Sequence, residues 1–200
     1  MEWLPKIPLD DWIELFIDFL QNYLDGLFSI VSKGIGTFVD WIVTGLGFIP
    51  PLLLIAILAI IAWLTSRWGV ALFTAVGLLL IYNLGYWEGT MQTLALVLTA
   101  VIISIVIGVP IGIGTSQSNR MQNIVTPILD FMQTMPAFVY LIPAILFFGI
   151  GMVPGIIASV IFAMPPTIRL TNLGIRQVPE DLVEASNAFG ATTSQKLIKV

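Results

Sequence analysis

The sequence predicts an all-α fold, a polytopic bundle of membrane helices. Three observations predict it. The 200-residue chain is 58% hydrophobic and only 10% charged, where a soluble domain carries about 25% charged residues. Its mean hydropathy is +0.99. Its apolar residues fall in runs close to the roughly 20 residues that a helix needs to cross a hydrocarbon core of about 30 Å. Lipid is therefore expected to be the solvent for most of the surface.

The elements follow in order. Residues 1–47 are not a clean span. Trp12, Ile13, Leu15, Phe16, Phe19, Leu20, Leu24, Leu27 and Phe28 recur at helical spacing, with Asp11, Glu14, Asp18, Gln21, Asn22 and Asp25 between them. That pattern predicts an amphipathic helix, lying on the outer membrane surface or packed against the bundle. Ile30–Ile49 reads as a second, weak element interrupted by Gly34, Gly36, Gly45 and Gly47. The start of the chain lacks a basic stretch followed by an apolar run, so no signal peptide is expected.

Residues 48–87 predict two transmembrane helices, Phe48–Leu64 and Val70–Trp87, joined by a tight turn at Ser66–Gly69. Residues 88–200 hold the remainder. Met91–Thr115 is the longest apolar run, and Pro110 predicts a kink in it. Gly108-x-x-x-Gly112 lets helices approach closely, either inside one subunit or at a dimer seam. Ile128–Ile150 carries Pro136 and Pro143, and Gly155–Ile168 is closed by Pro165-Pro166 and Arg169. Asp130 sits near one end of its span, where a charge is cheaper. Trp63, Trp68, Trp87, Tyr82 and Tyr86 lie near span ends and read as an aromatic belt.

Basic residues set the orientation. Arg67, Arg120, Arg169, Arg176, Lys196 and Lys199 fall in alternate loops, which the positive-inside rule makes cytoplasmic. The acidic first 47 residues then lie outside the cell, and the protein belongs in the plasma membrane.

Function classes narrow by composition. The chain has no cysteine and no histidine, which removes thiolate metal sites and the commonest general base. No catalytic residue, metal site or nucleic-acid partner is expected. No phosphate-cradling glycine loop with lysine occurs, so any ATP must be bound by a partner. An ion channel or ion-coupled carrier would want ionisable residues inside the spans, and Asp130 is the only candidate. An intramembrane enzyme lacks its acidic pair.

The chemistry-bearing segment is the polar C-terminal stretch. Pro179 suits a first helical position, and Glu180 and Asp181 sit at the positive end of the helix dipole. Gly190 can take the left-handed conformation that ends this helix. Thr192 with Gln195 offers a capping box for a second helix. Two short helices bent at Gly190 are expected, the first kept slim by Ala185, Ser186 and Ala188. From geometry alone this is either a docking element or an ordinary loop.

Glu184-Ala185-Ser186-x-x-x-Gly190 resembles the EAA loop of ABC importer permeases, whose pattern is Glu-Ala-Ala, three residues, Gly, nine residues, Ile-x-Leu-Pro. Ser186 replaces the third small residue, and Val200 falls where the isoleucine is expected. The Leu-Pro would lie beyond Val200, so the chain reads as a C-terminally incomplete type I importer transmembrane domain. WEGTMQTLALVLTAVIISIVIGVPIGI, MPAFVYL and AMPPTIRLTNLGIRQVPEDLVEASNAFGAT are similar to the subgroup importing glycine betaine and proline betaine. The likeness covers about residues 86–200.

The resemblance implies a second permease copy, a cytoplasmic ABC ATPase carrying ATP and magnesium, and an extracellular substrate-binding protein. Glu184, Ala185, Ser186, Ala188 and Gly190, in a coupling loop of about residues 179–200, would be the ATPase-coupling positions. The cargo would be glycine betaine or a related quaternary ammonium, with choline, carnitine, proline or methionine as alternatives. Met135, Phe138 and Tyr140 either line the pathway, where aromatic faces suit a quaternary ammonium, or serve as packing and lipid contacts.

Overall fold

The computed structural model describes residues 9–199. They form α1 (Leu9–Gly47), α2 (Pro51–Thr65), α3 (Trp68–Asn83), α4 (Trp87–Gln117), α5 (Asn119–Thr134), α6 (Ala137–Phe148), α7 (Met152–Arg176), α8 (Glu180–Ala188) and α9 (Thr193–Lys199). No strand occurs among the described residues, so the chain is all-α. Asp10–Gly47, Trp87–Gln117 and Met152–Arg176 are long and apolar enough to cross a membrane, and the bent pair α5–α6 would make a fourth span. Large apolar side chains such as Phe73 (79% exposed) and Ile150 (96%) face outward, the inverse of a water-soluble surface.

The chain divides into two compact units, residues 1–96 with 142–155, and 97–141 with 156–200. In the first, α2 and α3 pack as an apolar hairpin around the turn at Ser66–Arg67. These helices have 15 and 16 residues, about 22–24 Å of rise. α1 meets the end of α6: the Gln21 amide donates to the Leu146 carbonyl (3.1 Å), and Phe28 stacks on Phe147 (ring centroids 4.8 Å apart) and meets Phe148 edge-on (5.3 Å). Packing on the bundle and an outward apolar face therefore coexist in α1, where Trp12, Phe16 and Tyr23 are exposed.

The second unit is built on α4 and α7. The small residues Ser104, Gly108, Gly112 and Thr115 form the buried face of α4. A Cβ on Gly108 would lie 2.9 Å from the Thr167 methyl, and one on Gly112 would lie 2.5 Å from Thr171 Cβ and 2.9 Å from the Ile168 carbonyl oxygen. The Gly-x-x-x-Gly spacing is therefore used inside one chain, to seat α7.

Several expectations are corrected. Ile30–Ile49 is no separate element: α1 continues to Gly47. Its glycines lower helix propensity, but none takes a left-handed conformation and no proline interrupts. Ile128–Ile150 is not one straight span: α5 and α6 meet at 94°. Pro136 supplies the reason, because the residue before a proline is pushed out of the helical region; Met135 is extended at φ −88°, ψ 135°. Conversely, Pro165-Pro166 does not close a helix, since α7 runs through it to Arg176. The proline φ is compatible with a helix and Pro165 is fully buried; the prolines leave the Ile161 and Phe162 carbonyls without their helical donors, and the Thr167 hydroxyl donates to the next carbonyl, that of Ala163 (2.9 Å). Arg169 and Arg176 thus lie in a helix, not in a loop. Pro110 lies within a continuous α4.

Candidate functional site

The candidate site is the helix–bend–helix at α8 and α9, with the stem that carries it. Pro179 is the N-cap residue of α8 (φ −55°, ψ 134°), one position earlier than expected, and Glu180 and Asp181 occupy the first turn. The helix ends in a Schellman motif. Gly190 takes φ +74°, its N–H donates to the Asn187 carbonyl (2.9 Å), and the Ala191 N–H reaches the Ser186 carbonyl (3.0 Å). These bonds satisfy carbonyls that a helix end otherwise leaves open.

The capping box forms as its spacing predicts. The Thr192 N–H donates to Gln195 Oε1 (2.8 Å), and the Gln195 N–H donates to Thr192 Oγ1 (3.3 Å). One further bond spans the bend: Lys196 Nζ donates to Asn187 Oδ1 at 2.8 Å. The angle between α8 and α9 is thus held at both the backbone and the side-chain level.

Glu184, Ala185, Ala188 and Gly190 are exposed together on this element. Ser186 is half-buried, and its hydroxyl donates to the Val183 carbonyl (2.8 Å). The sequence reading missed two neighbours. Leu182 is 51% exposed and Phe189 is 92% exposed. At helical spacing, Leu182, Ala185 and Phe189 share a face, so α8 offers an apolar stripe beside the Glu184 carboxylate. The signal was in the sequence, as two large apolar residues seven positions apart, Leu182 inside α8 and Phe189 at its C-cap.

The stem is tied to the α4–α5 corner. Arg176, the last residue of α7, donates from Nη2 to the Thr115 carbonyl (3.2 Å) and to Asn119 Oδ1 (2.8 Å). One turn earlier, Asn172 Nδ2 donates to Thr115 Oγ1 (3.0 Å). Ser118 caps α5, its hydroxyl accepting from the Met121 N–H (3.3 Å). A cavity of about 660 Å3 opens between this corner and the α8–α9 pair, lined by Ser116, Gln117, Arg176, Val183, Lys196 and Leu197 among others. Arg169 and Asp130 form an ion pair linking α7 to α5, both side chains about half exposed. Pairing lowers the cost that a lone charge would carry near a membrane.

Met135, Phe138 and Tyr140 cluster at the α5–α6 break. Phe138 is 79% exposed. The Tyr140 hydroxyl donates to the Met132 carbonyl (2.8 Å). In an unbroken helix that carbonyl would accept from residue 136, and Pro136 has no N–H to give. Tyr140 therefore supplies the donor that Pro136 lacks.

Comparison with known proteins places residues 104–200 in a family described as binding-protein-dependent transport system inner membrane component. Over 200 residues, all of this chain and 71% of the relative, the sequence is 62% identical to the glycine betaine transport system permease protein OpuAB of Bacillus subtilis. It is 53% identical to the glycine betaine/carnitine transport permease protein GbuB of Listeria monocytogenes, covering 98% of this chain and 71% of the relative. It is 48% identical to the glycine betaine/proline betaine transport system permease protein ProW of Escherichia coli, covering 97% of this chain and 55% of the relative.

Proposed function

We propose a function from one premise: the chain belongs to the family of binding-protein-dependent transport system inner membrane components, the ABC permeases, and within it to the glycine betaine permeases. It is a multi-pass membrane protein. Its role is that of the permease subunit of an ATP-driven importer, with glycine betaine or a related quaternary ammonium as cargo.

The observation that carries the coupling reading is the α8–Gly190–α9 element, held in shape by the Schellman motif, the capping box and the Lys196–Asn187 bond. It presents Leu182, Ala185 and Phe189 with Glu184 outward. An apolar stripe with one carboxylate beside it suits a groove lined by apolar side chains and a basic or amide group. A cytoplasmic ABC ATPase, binding ATP and magnesium, is the partner that fits. Closure of the ATPase would shift α8–α9 and bias the permease between inward- and outward-facing states. A second permease copy completes the pathway, and an extracellular binding protein delivers the cargo. The bases Arg67, Arg120, Arg176 and Lys196 support a cytoplasmic side for this loop. Met135, Phe138 and the ring of Tyr140, at the α5–α6 bend, line the route, where aromatic faces attract a quaternary ammonium.

The test is uptake of labelled glycine betaine into proteoliposomes holding the permease, its ATPase and its binding protein. ATP-dependent uptake is expected, and it is lost in Gly190→Pro and Glu184→Lys variants that still insert. Uptake driven by a sodium or proton gradient without ATP would replace this reading with that of an ion-coupled carrier. The similarity to GbuB, whose name includes carnitine, favours carnitine as a second cargo, which competition against labelled glycine betaine measures.

A further inference from the structure

The stem of the coupling loop makes more polar contacts than a connector needs. Between Arg176 and the first residue of α8 stand only Gln177, Val178 and Pro179. Gln177 still donates to the Leu173 carbonyl (2.9 Å), and Pro179 has a fixed φ. Any displacement of α8 therefore reaches Arg176 with little slack.

At Arg176 the displacement meets two acceptors on another part of the chain. The first is the Thr115 carbonyl, whose ordinary helical donor would be the N–H of residue 119. α4 stops at Gln117 and Ser118 is extended (φ −137°, ψ 114°), so Arg176 takes up a carbonyl from the end of α4. The second is Asn119 Oδ1 at the start of α5. The guanidinium sits at the negative ends of α4 and α7 together, where a cation is favoured. Its planar fork can hold two acceptors that a lysine point charge would hold less rigidly. Behind it, Thr115 is 2% exposed, accepts from Asn172 and donates to the Gly112 carbonyl (2.8 Å). Further back, Thr171 and Thr167 close on Gly112 and Gly108.

We propose that Arg176 is the positioning residue of this transporter's coupling: it locks the stem of the α8–α9 loop to the α4–α5 corner through the Thr115 carbonyl and Asn119. The inference rests on the coupling role proposed for α8–α9 and goes beyond it by naming what turns loop movement into helix movement. With the lock in place, α7, the end of α4 and the start of α5 move as one body. Without it, the loop follows the ATPase while α4 and α5 lag.

The experiment measures molecules imported per ATP hydrolysed by the reconstituted importer, together with thermal stability and ATPase co-purification. Arg176→Gln is expected to assemble and hydrolyse ATP while imported cargo per ATP falls by at least about tenfold, since the change removes the charge behind both bonds. Arg176→Lys should restore part of the ratio. An unchanged ratio in Arg176→Gln overturns the proposal, including the case where only thermal stability drops, because that is what a purely structural contact would do. Should Arg176→Gln fail to assemble, Asn119→Leu decides: it keeps the Thr115 bond and removes the other, and a ratio equal to wild type overturns the lock. Gly190→Pro runs in parallel. If Gly190→Pro transports normally, the coupling role of the loop is what has failed; if it is inactive while the Arg176 variants keep a normal ratio, only the lock has failed.

Discussion

Thr171 closes on the bare backbone of Gly112, leaving no room for a side chain: an added Cβ would lie 2.5 Å from Thr171 Cβ. Relief is blocked on a second side, because the Ile168 carbonyl oxygen would lie 2.9 Å away, and backbone cannot rotate aside. Gly112→Ala is therefore expected to destabilise by about 1–3 kcal/mol, the usual cost of overpacking. Gly34→Ala in α1 is the control. Nothing lies within 4 Å of its added Cβ, so it should gain roughly 0.5–1 kcal/mol through helix propensity alone. Thermal unfolding of both variants in nanodiscs checks the opposite signs.

Gly190 poses the reverse problem. Open space surrounds it, but its φ is +74°. Substitution there costs backbone energy and creates no clash. Gly190→Ala should weaken the bend by about 1 kcal/mol, and Gly190→Asn by less, since Asn tolerates the left-handed region. Gly190→Pro loses both the φ and the N–H that bonds Asn187. Uptake should fall in the order Asn, Ala, Pro. A proline variant as active as the alanine variant would contradict the bend's role.

Phe189 separates stability from docking. At 92% exposure it contributes little packing, so Phe189→Ser should change unfolding by no more than about 0.5 kcal/mol. The same change removes the largest apolar group on the proposed docking stripe. ATPase co-purification should drop sharply, and Leu182→Ala should produce a smaller loss. Pull-down at matched permease levels measures both.

Tyr140 distinguishes two roles of one side chain. Tyr140→Phe keeps the aromatic face and removes the donor to the Met132 carbonyl. Stability should fall by about 1 kcal/mol, while the KM for cargo stays unchanged if the ring is what cargo meets. Tyr140→Leu should lose both. The comparison needs only uptake kinetics and an unfolding curve for each variant.

What the sequence made legible was local. The end of α8, the bend at Gly190 and the start of α9 are encoded within a few residues, in backbone conformation and a capping box, and they form as their spacing predicts. The second-unit contacts were not legible in that way. Arg169 and Arg176 read as loop charges from their sign alone, because their partners lie 39 to 61 residues away in the chain. Proline shows the same limit. Pro136 and the Pro165-Pro166 pair each remove helical donors, yet one ends a helix and the other does not. Whether a helix resumes depends on what packs around it, which no short window contains. The Gly108–Gly112 spacing announced a close approach but not its partner, and α7 supplied it.

The union of Thr115 with Asn172 and Arg176 also fixes an order of events at the ribosome. Thr115 is made 57 residues before Asn172 and 61 before Arg176. At about 5–20 residues per second, nascent α4 waits for several seconds with its groove of small residues unfilled and one carbonyl unmated. During that interval α4 lacks the α7 residues that close on Gly108 and Gly112, so this face is completed only after Asn172 and Arg176 have been made.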